Sequence, residues 1–113
     1  MSKANQLNEI IKHYLAEIIV SEIESPNFLI TISDVKCSPD LSVAKVFISV
    51  LPENFFGTAL KRLRSKTGHL SKLLKIKARL VRVPKIFWVV DDGFKIAGKL
   101  DEAFNEIERE KKE

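Results

Sequence analysis

Residues 64–72 read RSKTGHLSK, and the fold turns on whether that stretch continues one helix or separates two. Leu, Lys and Arg on either side favour helix. Thr67-Gly68 in the middle does not, because glycine inside a helix costs about 1 kcal/mol relative to alanine. The pattern predicts a break. One helix runs over 55–65 with Ala59, Leu60 and Leu63 inward, and a second begins after Gly68. Thr67 then serves as its cap, accepting a backbone N–H with its hydroxyl. Gly68 keeps the new helix start uncovered, so unpaired amides and the positive end of a dipole face outward. Arg64, Lys66, His69 and Lys72 surround that point, which makes it a candidate anion site.

Downstream, Leu70, Leu73, Leu74, Ile76 and Leu80 share one side at about 100° per residue. Lys72, Lys75 and Arg79 share the other. Lys77 falls on the apolar side, so the helix is expected to end near it. Pro84 closes the region. KIFWVV, residues 85–90, is nearly all apolar and reads as a strand that is central or covered on both faces. Asp91-Asp92-Gly93 is a turn. A last helix over 94–110 carries Ile96, Ala97, Leu100, Phe104 and Ile107 inward, with 108–113 fraying.

Upstream, Leu7, Ile10, Ile11, Tyr14, Leu15, Ile18, Ile19 and Ile23 recur at steps of three and four, an amphipathic helix of about five turns. Ser25-Pro26-Asn27 stops it. Residues 28–37 (FLITISDVKC) and 41–50 (LSVAKVFISV) read as an antiparallel hairpin across Ser38-Pro39-Asp40. Ala44, Val46, Ile48 and Val50 alternate onto one face. The expected order is α-β-β-α-α-β-α: an α+β fold, one domain over 1–113, with a three-stranded sheet and helices on one face.

Charge is segregated along the chain. Residues 1–53 carry 4 Lys/Arg and 7 Asp/Glu, and residues 91–113 carry 5 and 8. Residues 54–90 carry 10 Lys/Arg and no acid, so the overall charge of +4 hides a strongly basic middle. A polyanion is its natural partner. Lys61, Arg64, Lys66, Thr67, Gly68, His69, Lys72, Lys75 and Arg79 are the candidate RNA-binding residues. Phe55, Phe56, Phe87 and Trp88 flank the basic segment and read as core, which favours recognition of backbone and shape over base sequence.

Nothing in the sequence points to catalysis. His13 reads as a helix-surface residue, and His69 as either a contact or a structural residue. Cys37 reads as a small packed side chain. No Cys/His set has zinc spacing, and no phosphate-binding glycine loop of the nucleotide-hydrolase type is present. No catalytic residue, metal or cofactor is therefore expected. The lone cysteine, the lack of an apolar run long enough for a membrane, and an N-terminus unlike a secretory signal lead to an expectation of a soluble, cytoplasmic protein; a monomer is expected.

Several weak motifs in order resemble a known family. SPDLSVAKVFISV (38–50) is similar to the Asp-Leu…Ala-Lys-Val strand of the ribosome-binding factor A family, which has a type II KH-like fold. LRSKTGHLSKLLKIKARLVRVPKIFWVVDD (63–92) is similar to its helix-kink-helix, Arg-x-x-Pro and strand-then-Asp signature. Ser25-Pro26 stands where that family usually has Asp-Pro, and Lys66-Thr67-Gly68 stands where it usually has Ala-x-Gly. The Gly-x-x-Gly loop of true KH domains is absent. The resemblance implies a factor that binds small-subunit ribosomal RNA, assists late maturation and 5′-end processing of its precursor, and leaves with help from an assembly GTPase. The residues alone reach only a single-domain RNA-binding protein. The alternatives are a general nucleic-acid-binding KH-like protein not specific to the ribosome and a protein adaptor using the acidic C-terminal helix.

Overall fold

The long apolar periodicity at the start of the chain forms α1 (Lys3–Glu22), whose Ile11, Leu15, Ile18 and Ile19 are buried, with Ile23 just beyond its end. The structure is a computed structural model and describes residues 3–91. The expected helix over 94–110, the fraying of 108–113 and most of the Asp91-Asp92-Gly93 turn lie outside the described residues. Within them the order is α1, β1 (Leu29–Cys37), β2 (Val43–Leu51), a 3-10 turn (Glu53–Phe55), α2 (Phe56–Lys77) and β3 (Lys85–Val90).

The sheet order is β1-β2-β3. β1 and β2 form the expected antiparallel hairpin. β3 runs parallel to β2, with Val46 opposite Trp88, so α2 is the crossover that a parallel pair requires. Of the two readings of that apolar run, central or covered on both faces, the structure takes the second: β2 is central, and β3 pairs only with it among the described residues. An all-apolar run records cover on the faces of a strand, not its rank in the sheet. Ile86 and Trp88 indeed turn into the core, and Phe87 and Val89 are half-buried on the other face.

One core joins the layers. Ile30, Ile32, Ala44, Val46, Ile48, Val50, Ile86 and Trp88 from the sheet meet the α1 stripe and Ala59, Leu63, Leu70 and Leu74 of α2. β1 changes phase on the way, because a register shift between Ile32 and Asp34 inserts one residue. Ile30 and Ile32 face the core before it, and Val35 does after it. Asn8, buried on α1, accepts a hydrogen bond from the Cys37 amide at 2.7 Å. That bond locks helix to strand and satisfies a buried polar side chain.

The turn between β1 and β2 is held by Asp40, whose Oδ1 accepts from the Ser38 hydroxyl (2.7 Å), the Ser42 hydroxyl (2.7 Å) and the Ser42 amide (3.1 Å). These bonds support Leu41 at φ 62°, a left-handed conformation unfavourable for a branched side chain. The Lys85 amide then donates to the Ser42 carbonyl at 2.9 Å, pinning the start of β3 to that turn.

Candidate nucleic-acid interface

α2 is one continuous helix of 22 residues, and the expected break at Thr67-Gly68 is absent. This corrects the helix-kink-helix and the order with two helices there. It also removes the capping role of Thr67 and the open helix start at Gly68. Thr67 instead sits inside the helix. Its hydroxyl donates to the Leu63 carbonyl at 2.7 Å and accepts from the Trp88 indole Nε1 at 2.9 Å. A threonine bonded to the carbonyl four residues back is compatible with helix interior. The amides near Gly68 belong to the helical ladder and are not available to an anion. A continuous signal exists in the sequence: Ala59, Leu63, Leu70 and Leu74 keep one helical phase straight through the glycine, and all four are fully buried.

Opposite that buried stripe lie Lys61, Arg64, Gly68, Lys72 and Lys75, all exposed. At about 1.5 Å per residue the cations form a row about 21 Å long. Gly68 lies within the row. A Cβ built on it meets nothing within 4 Å, so no packing inside the protein requires the glycine. The row is thus bare at its middle, where a partner can approach the helix backbone.

Three other basic side chains of α2 do not belong to the row. Arg62, Lys66 and His69 turn toward α1. The Arg62 guanidinium donates to the Glu24 carbonyl and lies 5.3 Å from the centre of the Phe28 ring. Lys66 Nζ donates to the Glu22 carbonyl at 3.1 Å, and His69 Nε2 is 3.5 Å from the Glu22 carboxylate. Carbonyls at a helix C-terminus lack intrahelical donors and carry the negative end of its dipole. Lys66 and His69, expected to ring the anion site, are therefore engaged at the end of α1. Nothing in the sequence singles out Arg62; only a contact between α1 and α2 reveals its place.

Arg79 lies past the end of α2, not on a helical face as expected. Its φ is 54°, its amide donates to the Ile76 carbonyl (3.3 Å), and the Leu80 amide donates to the Lys75 carbonyl (3.0 Å). This paired closure is a Schellman motif with arginine where glycine is usual. The expected end near Lys77 is where the helix stops. Ile76, expected inward, is exposed, and Leu80 is half-buried.

Among the aromatics, Trp88 is buried, Phe55 stacks on Phe28 at 5.4 Å, and Phe56 is exposed. His13 is exposed beside Glu17. Among the described residues no group of three His, Cys, Asp or Glu side chains is placed to hold a metal, and no helix is long and apolar enough to cross a membrane.

The family model described as "Ribosome-binding factor A" matches residues 3–104. Two relatives of that name are similar along nearly their whole length. The Halothermothrix orenii protein is 29% identical over 96% of this chain and 90% of its own. The Thermodesulfovibrio yellowstonii protein is 30% identical over 98% and 95%. The crystal structure of ribosome-binding factor A from Thermus thermophilus superposes with a TM-score of 0.68 at 28% identity, covering 77% of this chain and 94% of that one. A homology model of the Thermus factor, fitted into a cryo-EM map of its complex with 30S, superposes with a TM-score of 0.70 at 30% identity, covering 78% and 93%.

Proposed function

The chain belongs to the ribosome-binding factor A family, non-enzymatic factors of ribosome assembly, and on that premise we propose that it binds the ribosomal RNA of the small subunit through the outward row of α2. The observation that carries this reading is the row itself: Lys61, Arg64, Lys72 and Lys75 exposed on one face, in a segment of residues 54–90 without one acid. Each phosphate neutralised there releases counterions, so affinity falls steeply with salt. The fitting of the Thermus factor into a 30S complex supports the same partner.

The row grips backbone and shape. Arg79 extends it past the helix end, whereas Lys66 and His69 act mainly by holding α1 against α2. Thr67 supports the row from behind through Trp88. The protein works in the cytoplasm as one RNA-binding domain, assists late maturation and 5′-end processing of the precursor, and departs with help from an assembly GTPase. These later steps rest on the family resemblance.

The scarcity of exposed aromatics near the row favours one second reading, a general nucleic-acid binder. Filter binding at matched salt separates the two. The ribosomal reading expects small-subunit RNA to bind at least tenfold more tightly than duplex DNA, an estimate of about 1.4 kcal/mol. Equal affinity overturns it.

A further inference from the structure

The chain just after α2 carries an apolar patch that the phosphate-gripping row does not use. Ile76, in the last turn of α2, is 64% exposed and Val81, just beyond the helix, is 88% exposed, on either side of the Schellman closure at Arg79. The segment is not loosely attached. Leu80 and Val83 pack against the core, Pro84 is buried, and the Lys85 amide is bonded to the Ser42 carbonyl. Two large aliphatic side chains are thus held in water by anchored backbone and forgo the gain that burial gives the apolar side chains of the core.

Their surroundings select the partner. Lys75, Arg79, Arg82 and Lys85 are all exposed around the patch, and the segment contains no acid to neutralise them. An apolar protein surface docked here would leave those cations without counter-charge. A nucleic acid offers both chemistries at once, an anionic backbone and, where bases are unstacked, broad apolar faces. A continuous duplex does not, because its bases are hidden in the stack.

We propose that Ile76 and Val81 form a base-contacting patch for unpaired nucleotides, adjoining the phosphate row at Lys75. This rests on the RNA-binding reading and deepens it: the row sets general affinity, and the patch selects single-stranded or looped RNA over paired RNA.

The test compares wild type with I76Q/V81Q, a pair of substitutions that keeps charge and replaces apolar surface by polar. Two RNAs of equal phosphate number are titrated at several salt concentrations: a hairpin with a single-stranded loop of small-subunit sequence, and a blunt, fully paired duplex. The proposal expects hairpin affinity to fall about tenfold, duplex affinity and both salt slopes to stay unchanged, and the urea midpoint to hold. Unchanged hairpin binding, or an equal loss on both RNAs, overturns the patch and leaves the row standing. Wild type binding neither RNA overturns the RNA-binding reading and the patch with it. A variant that binds both RNAs normally but no longer sediments with 30S subunits shows a protein partner at the patch, and also overturns the proposal.

Discussion

The Trp88 indole donates a 2.9 Å hydrogen bond to the Thr67 hydroxyl, which donates in turn to the Leu63 carbonyl. One short chain of bonds therefore ties β3 to the middle of α2, directly behind the row of cations. Replacing Thr67 by valine keeps the shape of the side chain and strands a buried N–H. T67V is expected to lose about 1–3 kcal/mol of stability in urea unfolding, followed by fluorescence of the single tryptophan. T67S should recover most of it. An unchanged midpoint for T67V would remove the structural role assigned to Thr67.

Gly68 gives two opposite expectations. Because a Cβ there meets open space and the residue is helical, G68A should stabilise the protein by about 1 kcal/mol. G68L should keep the fold and weaken binding to small-subunit RNA several-fold by holding the partner off the helix. Thermal melts and filter binding on both variants read these effects. Destabilisation by alanine would mean that the glycine is there for the fold.

The division between the two cation groups is testable residue by residue. R62A and K66A remove donors from the Glu24 and Glu22 carbonyls and are each expected to cost about 0.5–1 kcal/mol of stability. Their effect on RNA affinity should be smaller than that of R64A or K72A, which should leave stability unchanged. Affinity losses of the same size across all four would show that the α1-facing group also reaches RNA.

Burial raises the Cys37 thiol from its ordinary 9.0 to about 11. The neutral thiol is thus favoured by the fold. Its contribution to stability is present below pH 9 and is lost as pH rises toward 11. Alkylation of the folded protein should keep accelerating with pH through about 10. A rate that levels off near pH 9 would contradict the burial argument.

Much of this architecture was legible from apolar spacing. Ile11, Leu15, Ile18, Ile19 and Ile23 were expected inward and are buried, the bounds of β3 match the run KIFWVV, and the outward positions of Lys72 and Lys75 followed from the wheel. At Thr67-Gly68 local propensity and helical phase conflict, and phase prevails. A penalty of about 1 kcal/mol for glycine is small beside the burial of Leu63, Leu70 and Leu74 on a single helical stripe. The roles of Arg62, Lys66 and His69 depend on where α1 ends relative to α2, a tertiary fact with no local pattern. The exposure of Ile76 is also a matter of phase: at 100° per residue it lies about 130° around α2 from the centre of the Ala59, Leu63, Leu70 and Leu74 stripe.

The account stands on a row of cations facing away from the core of α2, and R64E/K72E/K75E probes it most directly. Wild type and variant are sedimented with purified 30S subunits through a sucrose gradient, with unfolding midpoints measured in parallel. Wild type is expected in the 30S fractions and the variant at the top of the gradient, with the two midpoints alike. A folded variant that still travels with 30S would contradict the account.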